Sequence, residues 1–297
     1  MAITVLPITP DFVAEVGDVD LAAPLSVADF EDICEAFWRY AVLVFPDQAL
    51  TQAQHMAFAE RFGPLEPGSA SDRQDTQHRI APQLTDISNL EPGDALWDER
   101  SRRRMFYMGN RLWHTDASFR HKPGRASLLY ARSIAPLGGH TEFADQRAAF
   151  DALPRSTQER LLPLVAEHSI FHSRKRIGFE DFSAEDYERL PPVHQVLVRT
   201  LPESGRKSLY LASHAGRIVG MPDAEGLALI DELIAHTTQR QFVYTHRWRL
   251  HDLVMWDNRC TMHRGTDFDD LRHKRDMHRA TVVETVNSCE QAGISAA

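Results

Sequence analysis

Residues 112–145 read LWHTDASFRHKPGRASLLYARSIAPLGGHTEFAD, and three strand-length runs stand out in them: LWHTDASF (112–119), ASLLYARSI (126–134) and HTEFAD (140–145). The separators between them contain Lys-Pro-Gly and Pro-Leu-Gly-Gly, so the spacing predicts short β-strands joined by turns. The same texture continues toward the C-terminus in VLVRTL (196–201), SLYLAS (208–213), FVYTHRW (242–248), DLVMWD (252–257) and RATVVETV (279–286). Many short strands punctuated by turn residues favour a sandwich or barrel, with any helices outside it.

Helical signals interrupt this pattern in a few places. Ser26 can cap a helix whose apolar residues Phe30, Ile33, Cys34, Phe37 and Trp38 share one face of a 3.6-residue period. The run AVLVF (41–45) reads as a strand, after which Thr51 opens a helix that Gly63 can end. Further helices are expected at 145–153 behind Asp145, at 157–168 behind a Ser156/Glu159 capping box, and at 224–236 behind Asp223, with Leu227, Ile230, Leu233 and Ile234 on one side. Between about 65 and 110 the chain is rich in Pro, Gly, Asp, Ser and Arg, and only LTDISNL (84–90) reads as a strand. A long irregular stretch of this kind in a compact domain predicts a mobile lid. No linker divides the chain, so residues 1–297 are expected to form a single domain.

Composition excludes several classes. With 43% hydrophobic and 25% charged residues the chain matches an ordinary globular protein. Its apolar runs are too broken for a membrane span of about 18 residues. The N-terminal MAITVLPITPDF carries no secretory pattern, so a cytoplasmic location is expected. The three cysteines, Cys34, Cys260 and Cys289, form no CxxC pair and read as reduced thiols. A formal charge of −9 offers no broad basic surface, which argues against nucleic acid as a partner.

The chemistry concentrates at Trp113-His114-Thr115-Asp116. In a strand, positions two apart project from one face, so His114 and Asp116 aim an imidazole and a carboxylate at one point while Thr115 turns away. His263, just beyond DLVMWD and Asn258-Arg259-Cys260, is the leading candidate for a third ligand. Two histidines and a carboxylate make the facial triad of non-haem Fe(II) oxygenases. Taken alone, the same residues also suit a solvated strand end or a zinc hydrolase site. Arg275 and Arg279, four residues apart after His263, present two planar forks suited to two different carboxylates. The pair His168/His172 has helical chelating spacing but no accompanying HExxH, and Cys260 fits small buried packing better than ligation. No GxSxG elbow is present, and GMPDAEG (220–226) lacks the spacing of a nucleotide-binding loop.

The segments NRLWHTDASF (110–119), PLGGHTEFAD (136–145), KSLYLASHAG (207–216), HDLVMWDNRCTMHR (251–264) and RDMHRATV (275–282), in this order, resemble the taurine/2,4-dichlorophenoxyacetate dioxygenase family, and its 2,4-dichlorophenoxyacetate branch more than the taurine branch. The resemblance implies a mainly β double-stranded β-helix, a distorted, cupin-like jelly roll with flanking helices. It implies Fe(II), 2-oxoglutarate and O2 as the reaction's requirements, with His114, Asp116 and His263 as iron ligands. It further implies that Thr141 and Arg275 hold the distal carboxylate of 2-oxoglutarate, that Arg279 meets the substrate's acidic group, and that Asn110 is an active-site asparagine. Trp256 matches a tryptophan that packs near the metal. The implied reaction is hydroxylation of an aryloxyalkanoate next to its ether oxygen, releasing a phenol and a 2-oxo acid, with Phe106 and Tyr107 as candidates to cover the aromatic ring. A sulfonate or alkyl-sulfate dioxygenase of the same family and a non-catalytic small-acid binding module are the alternatives. The family also makes an assembly of identical subunits the expectation.

Overall fold

The computed structural model describes residues 3–66 and 79–294. Its centre is a seven-stranded sheet in which Gly124–Ser133 is flanked antiparallel by Leu253–Asp257 on one side and Asp276–Val283 on the other. Val42–Phe45 pairs with the far edge of Leu253–Asp257, and the N-terminal strands Val13–Gly17 and Thr4–Pro7 extend the sheet beyond it. A three-stranded sheet, Val243–His246, Thr141–Asp145 and Thr261–Gly265, stacks against it.

Alternation along each strand explains the layering. On Gly124–Ser133, Ala126, Leu128 and Tyr130 enter a core capped by the helices, whereas Leu129 and Ala131 enter the core shared with Phe143 of the small sheet. Ser127 falls in the inward set. On Asp276–Val283 the inward set contains Met277, and Ala280 and Val282 face the helices, so Arg279 points between the sheets. This is the jelly-roll sandwich expected of the strand-rich pattern.

The outer cover follows local sequence. Ser26 accepts a 3.0 Å bond from the Asp29 amide at the start of helix Val27–Tyr40, which buries Ile33, Ala36, Phe37 and Tyr40. Trp38, assigned to that stripe from periodicity, is 40% exposed. Thr51 and Gln54 form a full capping box on Gln52–Glu60, and Gly63 follows with φ of +140°. Asp145 caps Gln146–Asp151 as expected, and Asp223–Thr237 matches the predicted helix to within a residue.

Several expectations are corrected. LWHTDASF is not a strand: only His114 pairs, in an isolated bridge to His263, and the chain then turns with Ala117 at φ of +54°. The helix expected at 157–168 is Arg155–Leu161, followed by the strand Val165–His168. Pro163 explains the early stop, since a proline lacks the N–H that would continue the ladder and disfavours helical geometry in the residue before it. Ser156 lies inside that helix and caps nothing. His168 and His172 therefore lie on a strand end and on the helix Ile170–Lys175, not one turn apart on a helix. VLVRTL is broken at Leu197, between the strands Val193–Val196 and Val198–Thr200, and of SLYLAS only Ser208 and Leu209 are strand, in Lys207–Leu209.

Of the 65–110 stretch, residues 67–78 lie outside the described residues. LTDISNL contributes a two-residue strand, Thr85–Asp86, yet Ile87 and Asn89 go on donating to the carbonyls of Met277 and Arg275. Residues 79–89 thus run along the edge of the large sheet, tied there by Arg79, which pairs with Asp86, Asp94 and Asp276. Among the described residues no helix is long and apolar enough to cross a membrane.

Candidate active site

The two histidines face each other across backbone bonds: the His114 amide donates to the His263 carbonyl at 3.0 Å and the reverse bond is 2.8 Å. Their rings stand 4.2 Å apart between centroids. His114 Nε2 is 3.8 Å from Asp116 Oδ1, and His263 Nε2 is 3.6 Å from Asp116 Oδ2. One donor atom from each residue lies within 4.8 Å of the others, the one such cluster of His, Cys, Asp and Glu among the described residues. His168, His172 and Cys260 are outside it. Thr115 turns the other way and donates to the Leu211 carbonyl at 2.8 Å.

The surrounding bonds aim these groups. His114 Nδ1 lies 2.8 Å from the Leu112 carbonyl, which makes Nδ1 the protonated nitrogen and leaves the Nε2 lone pair toward Asp116. Burial pushes both imidazoles below their ordinary value of 6.5, so both are neutral ligands at pH 7. Burial alone would raise the Asp116 carboxyl, but the Arg279 guanidinium, helped by the Ser127 hydroxyl, outweighs it and holds the group below its ordinary range. A buried, ionised carboxylate beside two neutral imidazoles is a donor set suited to a divalent metal such as Fe(II).

Around Asp116 stand Ser127 and Asn258, which the sequence did not single out for chemistry, and Trp256, which it did. Ser127 donates to Asp116 Oδ2 at 2.7 Å, Asn258 Nδ2 donates to Ser127 at 2.9 Å, and Asn258 Oδ1 accepts from the Asp116 amide and from Trp256 Nε1. Trp256 is fully buried and its ring lies 4.6 Å from that of His263. The signal for Ser127 was a lone hydroxyl at an inward position of an apolar strand. Ser127→Ala is expected to weaken metal binding roughly tenfold, the lower end for loss of an outer-shell partner; Mn(II) titration calorimetry checks this, and an unchanged affinity refutes it.

Thr141 and Arg275 line one cavity with Asn110, Arg279 and the two histidines. Arg275 is buried, and burial pulls its pKa down to about 10. Its Nε donates to the Gly139 carbonyl at 3.1 Å and its amide to Asn89 Oδ1 at 2.8 Å, but no carboxylate among the described residues is in ion-pair contact with it. A buried cation without a counter-charge fits the distal carboxylate of 2-oxoglutarate. Asn89 also donates to the Asp270 and His273 carbonyls, holding the loop before Arg275.

The Gly138-Gly139 turn connects the two groups. A Cβ at Gly138, whose φ is +73°, would lie 2.1 Å from the Asp267 carbonyl oxygen. Gly138→Ala is expected to destabilise the fold by about 2 kcal/mol or more through strain at positive φ and this clash; urea denaturation measures it, and a loss under about 0.5 kcal/mol contradicts the packing described.

Arg279 donates to Asp116 Oδ1 through Nη1, and its Nε is buried without a partner. Asn110 lies in the short 3-10 turn Met108–Arg111 and accepts from Arg174 at 3.5 Å. Arg174 is another buried arginine, pulled to about 10 by desolvation, and a Cβ at Gly109 would meet its Nη1 at 2.2 Å. Tyr107, Met108, Trp97 and Ile87 line the cavity, whereas Phe106 packs on Phe179 and Phe182. Asp257 faces away, paired with Arg259 at 2.7 Å.

A jelly roll with two neutral imidazoles and one carboxylate at one point between its sheets has the architecture of a mononuclear non-haem iron oxygenase. Residues 4–281 match the family described as taurine catabolism dioxygenase TauD, TfdA family, and the chain belongs to it. It is 43% identical to an alpha-ketoglutarate-dependent 2,4-dichlorophenoxyacetate dioxygenase of Cupriavidus pinatubonensis, over 96% of this chain and 99% of that one. It is 35% identical to an (S)-phenoxypropionate/alpha-ketoglutarate-dioxygenase of Sphingobium herbicidovorans, over 95% of each. Among solved structures it is similar to AAD-2 in complex with Mn(II) and N-oxalylglycine, with a TM-score of 0.89, 45% identity, and coverage of 97% of this chain and 99% of that one.

Proposed function

We propose that this protein is an Fe(II)- and 2-oxoglutarate-dependent dioxygenase that hydroxylates the carbon next to the ether oxygen of an aryloxyalkanoate. The observation that carries this reading is the meeting of His114, Asp116 and His263 with two arginines, Arg275 and Arg279, at one cavity between the sheets. Fe(II), 2-oxoglutarate and O2 together supply an oxidant for a substrate C–H bond, with 2-oxoglutarate becoming succinate and CO2. Hydroxylation between ether oxygen and carboxylate gives a hemiacetal, which falls apart to a phenol and a 2-oxo acid.

The chain's residues divide the remaining work. His114 Nε2, an Asp116 oxygen and His263 Nε2 would hold the metal, and Ser127 and Asn258 fix the carboxylate's orientation. Arg275 and Thr141 take the distal carboxylate of 2-oxoglutarate. Arg279 orients the substrate carboxylate, and Asn110 and Tyr107 stand at the wall of the same cavity. Residues 1–297 act as a single domain, and Ile87, Trp97, Tyr107 and Met108 of the described 79–110 stretch wall the cavity. The protein supplies placement and exclusion of water.

Arg279→Ala is expected to weaken the aryloxyalkanoate by about 30-fold or more, as for truncating one partner of a charge pair, with 2-oxoglutarate affinity changed by less than about threefold. Equal loss of both ligands in binding titrations contradicts the division between Arg275 and Arg279. The reading as a whole is tested by anaerobic reconstitution with Fe(II) and 2-oxoglutarate, then O2 with aryloxyacetates, aryloxypropionates and sulfonates. Substrate-dependent succinate with stoichiometric phenol supports it. Sulfite in place of phenol overturns the substrate class, and no substrate-dependent succinate overturns the activity.

A further inference from the structure

The Thr141 hydroxyl accepts a hydrogen bond of 3.0 Å from Nε1 of Trp248. An indole N–H can only donate, so the direction of this bond is fixed by chemistry without reference to any ligand. Thr141 keeps one proton of its own, and among the described residues that proton has no acceptor. Both side chains are buried, and Thr141 lines the cavity beside Arg275. Trp248 is itself held in place: the His246 ring meets it edge-on at 4.6 Å, and His246 Nε2 lies 3.0 Å from Asp252 Oδ2. His246 is also the register partner of Thr141 in the small sheet.

We propose that Trp248 is a positioning residue for 2-oxoglutarate: it occupies the acceptor side of Thr141 Oγ1 and thereby turns the hydroxyl proton into the cavity, toward the ligand's distal carboxylate. This rests on the reading that Thr141 and Arg275 receive that carboxylate. A hydroxyl rotor already set in its donating orientation loses less freedom when the ligand arrives, which strengthens binding without any contact between Trp248 and the ligand. The indole N–H acts on Thr141 Oγ1 alone and has no bearing on the metal ligands.

The test is a double-mutant cycle on 2-oxoglutarate affinity, measured by anaerobic calorimetry with Mn(II) in the wild type, Trp248→Phe, Thr141→Val and the double variant. Trp248→Phe is expected to weaken 2-oxoglutarate about fivefold when Thr141 is present, the usual scale of one neutral hydrogen bond, and to add nothing in the Thr141→Val background. Mn(II) affinity and the binding of pyruvate, which lacks the distal carboxylate, are expected to be the same in all four. Equal weakening in both backgrounds, weakening of pyruvate, or no weakening overturns the role of Trp248. If Thr141→Val leaves 2-oxoglutarate affinity unchanged, the reading of Thr141 fails, and the proposal with it. Should Trp248→Phe not fold, the indole N–H signals of 15N-tryptophan-labelled wild type and Thr141→Val, with Zn(II), decide. One signal is expected to lose its hydrogen-bonded shift in Thr141→Val and to keep it when 2-oxoglutarate is added to the wild type. Loss of that shift on adding the ligand overturns the proposal.

Discussion

Asp116→Ala is expected to abolish turnover by removing the metal, with Fe(II) or Mn(II) affinity falling by at least about 100-fold, beyond the 10- to 100-fold typical of losing an outer-shell partner. Asp116 is the one carboxylate in the cluster, and its two oxygens reach both imidazoles. What remains are two neutral, buried imidazoles, which bind a divalent cation without neutralising any of its charge. The substitution also strands Arg279, whose Nη1 donates to this carboxylate and whose Nε already lacks a partner. Breaking a buried ion pair from one side costs about 3–5 kcal/mol; with 15% of the Arg279 side chain exposed, a loss at or below the lower end is expected. Asp116→Asn keeps the shape but removes the charge, so it separates ligation from packing: metal affinity falls while the Ser127 hydroxyl still finds an oxygen. Calorimetric metal titration checks both variants, and wild-type affinity in Asp116→Ala would remove Asp116 from the ligand set.

The convergence of His114 and Asp116 was legible in the sequence, although the reason supplied by the strand pattern was not the right one. Alternation in a strand aims both residues one way, yet here a single bridge at His114 followed by a turn at Asp116 does it, with Asn258 accepting from the Asp116 amide. Turn geometry depends on a residue about 140 positions away, which no local pattern contains. Arg275 and Arg279 show another case. Arg279 is inward with Met277 in the strand Asp276–Val283, but Arg275 stands before that strand and its bulge at Asp276/Met277, and its bonds to the Gly139 carbonyl and Asn89 Oδ1 hold it at the cavity, so strand alternation accounts for one of the two. Helix boundaries failed where a proline outweighed a capping motif, at Pro163. Arg174, buried beneath Gly109 and Asn110, had no sequence signal: a basic run such as Ser173-Arg174-Lys175-Arg176 reads as a solvated face, and only packing shows which of its members is inside.

Arg275→Met is expected to weaken 2-oxoglutarate by at least about 30-fold, and by about 10³-fold at the upper end, as for truncating one side of a buried charged pair, while leaving the protein without ligand as stable as the wild type or more so. The two effects have one cause. Folding buries this guanidinium with no carboxylate beside it, and a pKa lowered from 12.5 to about 10 corresponds to roughly 3 kcal/mol against the charged form in the folded state. The sign follows from the direction of the shift: at any pH below about 10 the arginine is charged in both folded and unfolded chains, so the penalty is present in full at neutral pH. Methionine fills similar space without charge. It forfeits the 3.1 Å bond to the Gly139 carbonyl, about 1 kcal/mol, which is less than the desolvation it relieves. In the wild type, 2-oxoglutarate supplies the missing counter-charge, so ligand addition should raise Tm by binding linkage, and at the same ligand concentration that rise should shrink in Arg275→Met in step with the lost affinity. Thermal melts with and without ligand, alongside Mn(II)-loaded calorimetry, measure both halves. A variant that loses stability as well as affinity would mean that Arg275 has a structural partner within the fold, and a variant that keeps 2-oxoglutarate affinity would mean that the distal carboxylate lies elsewhere.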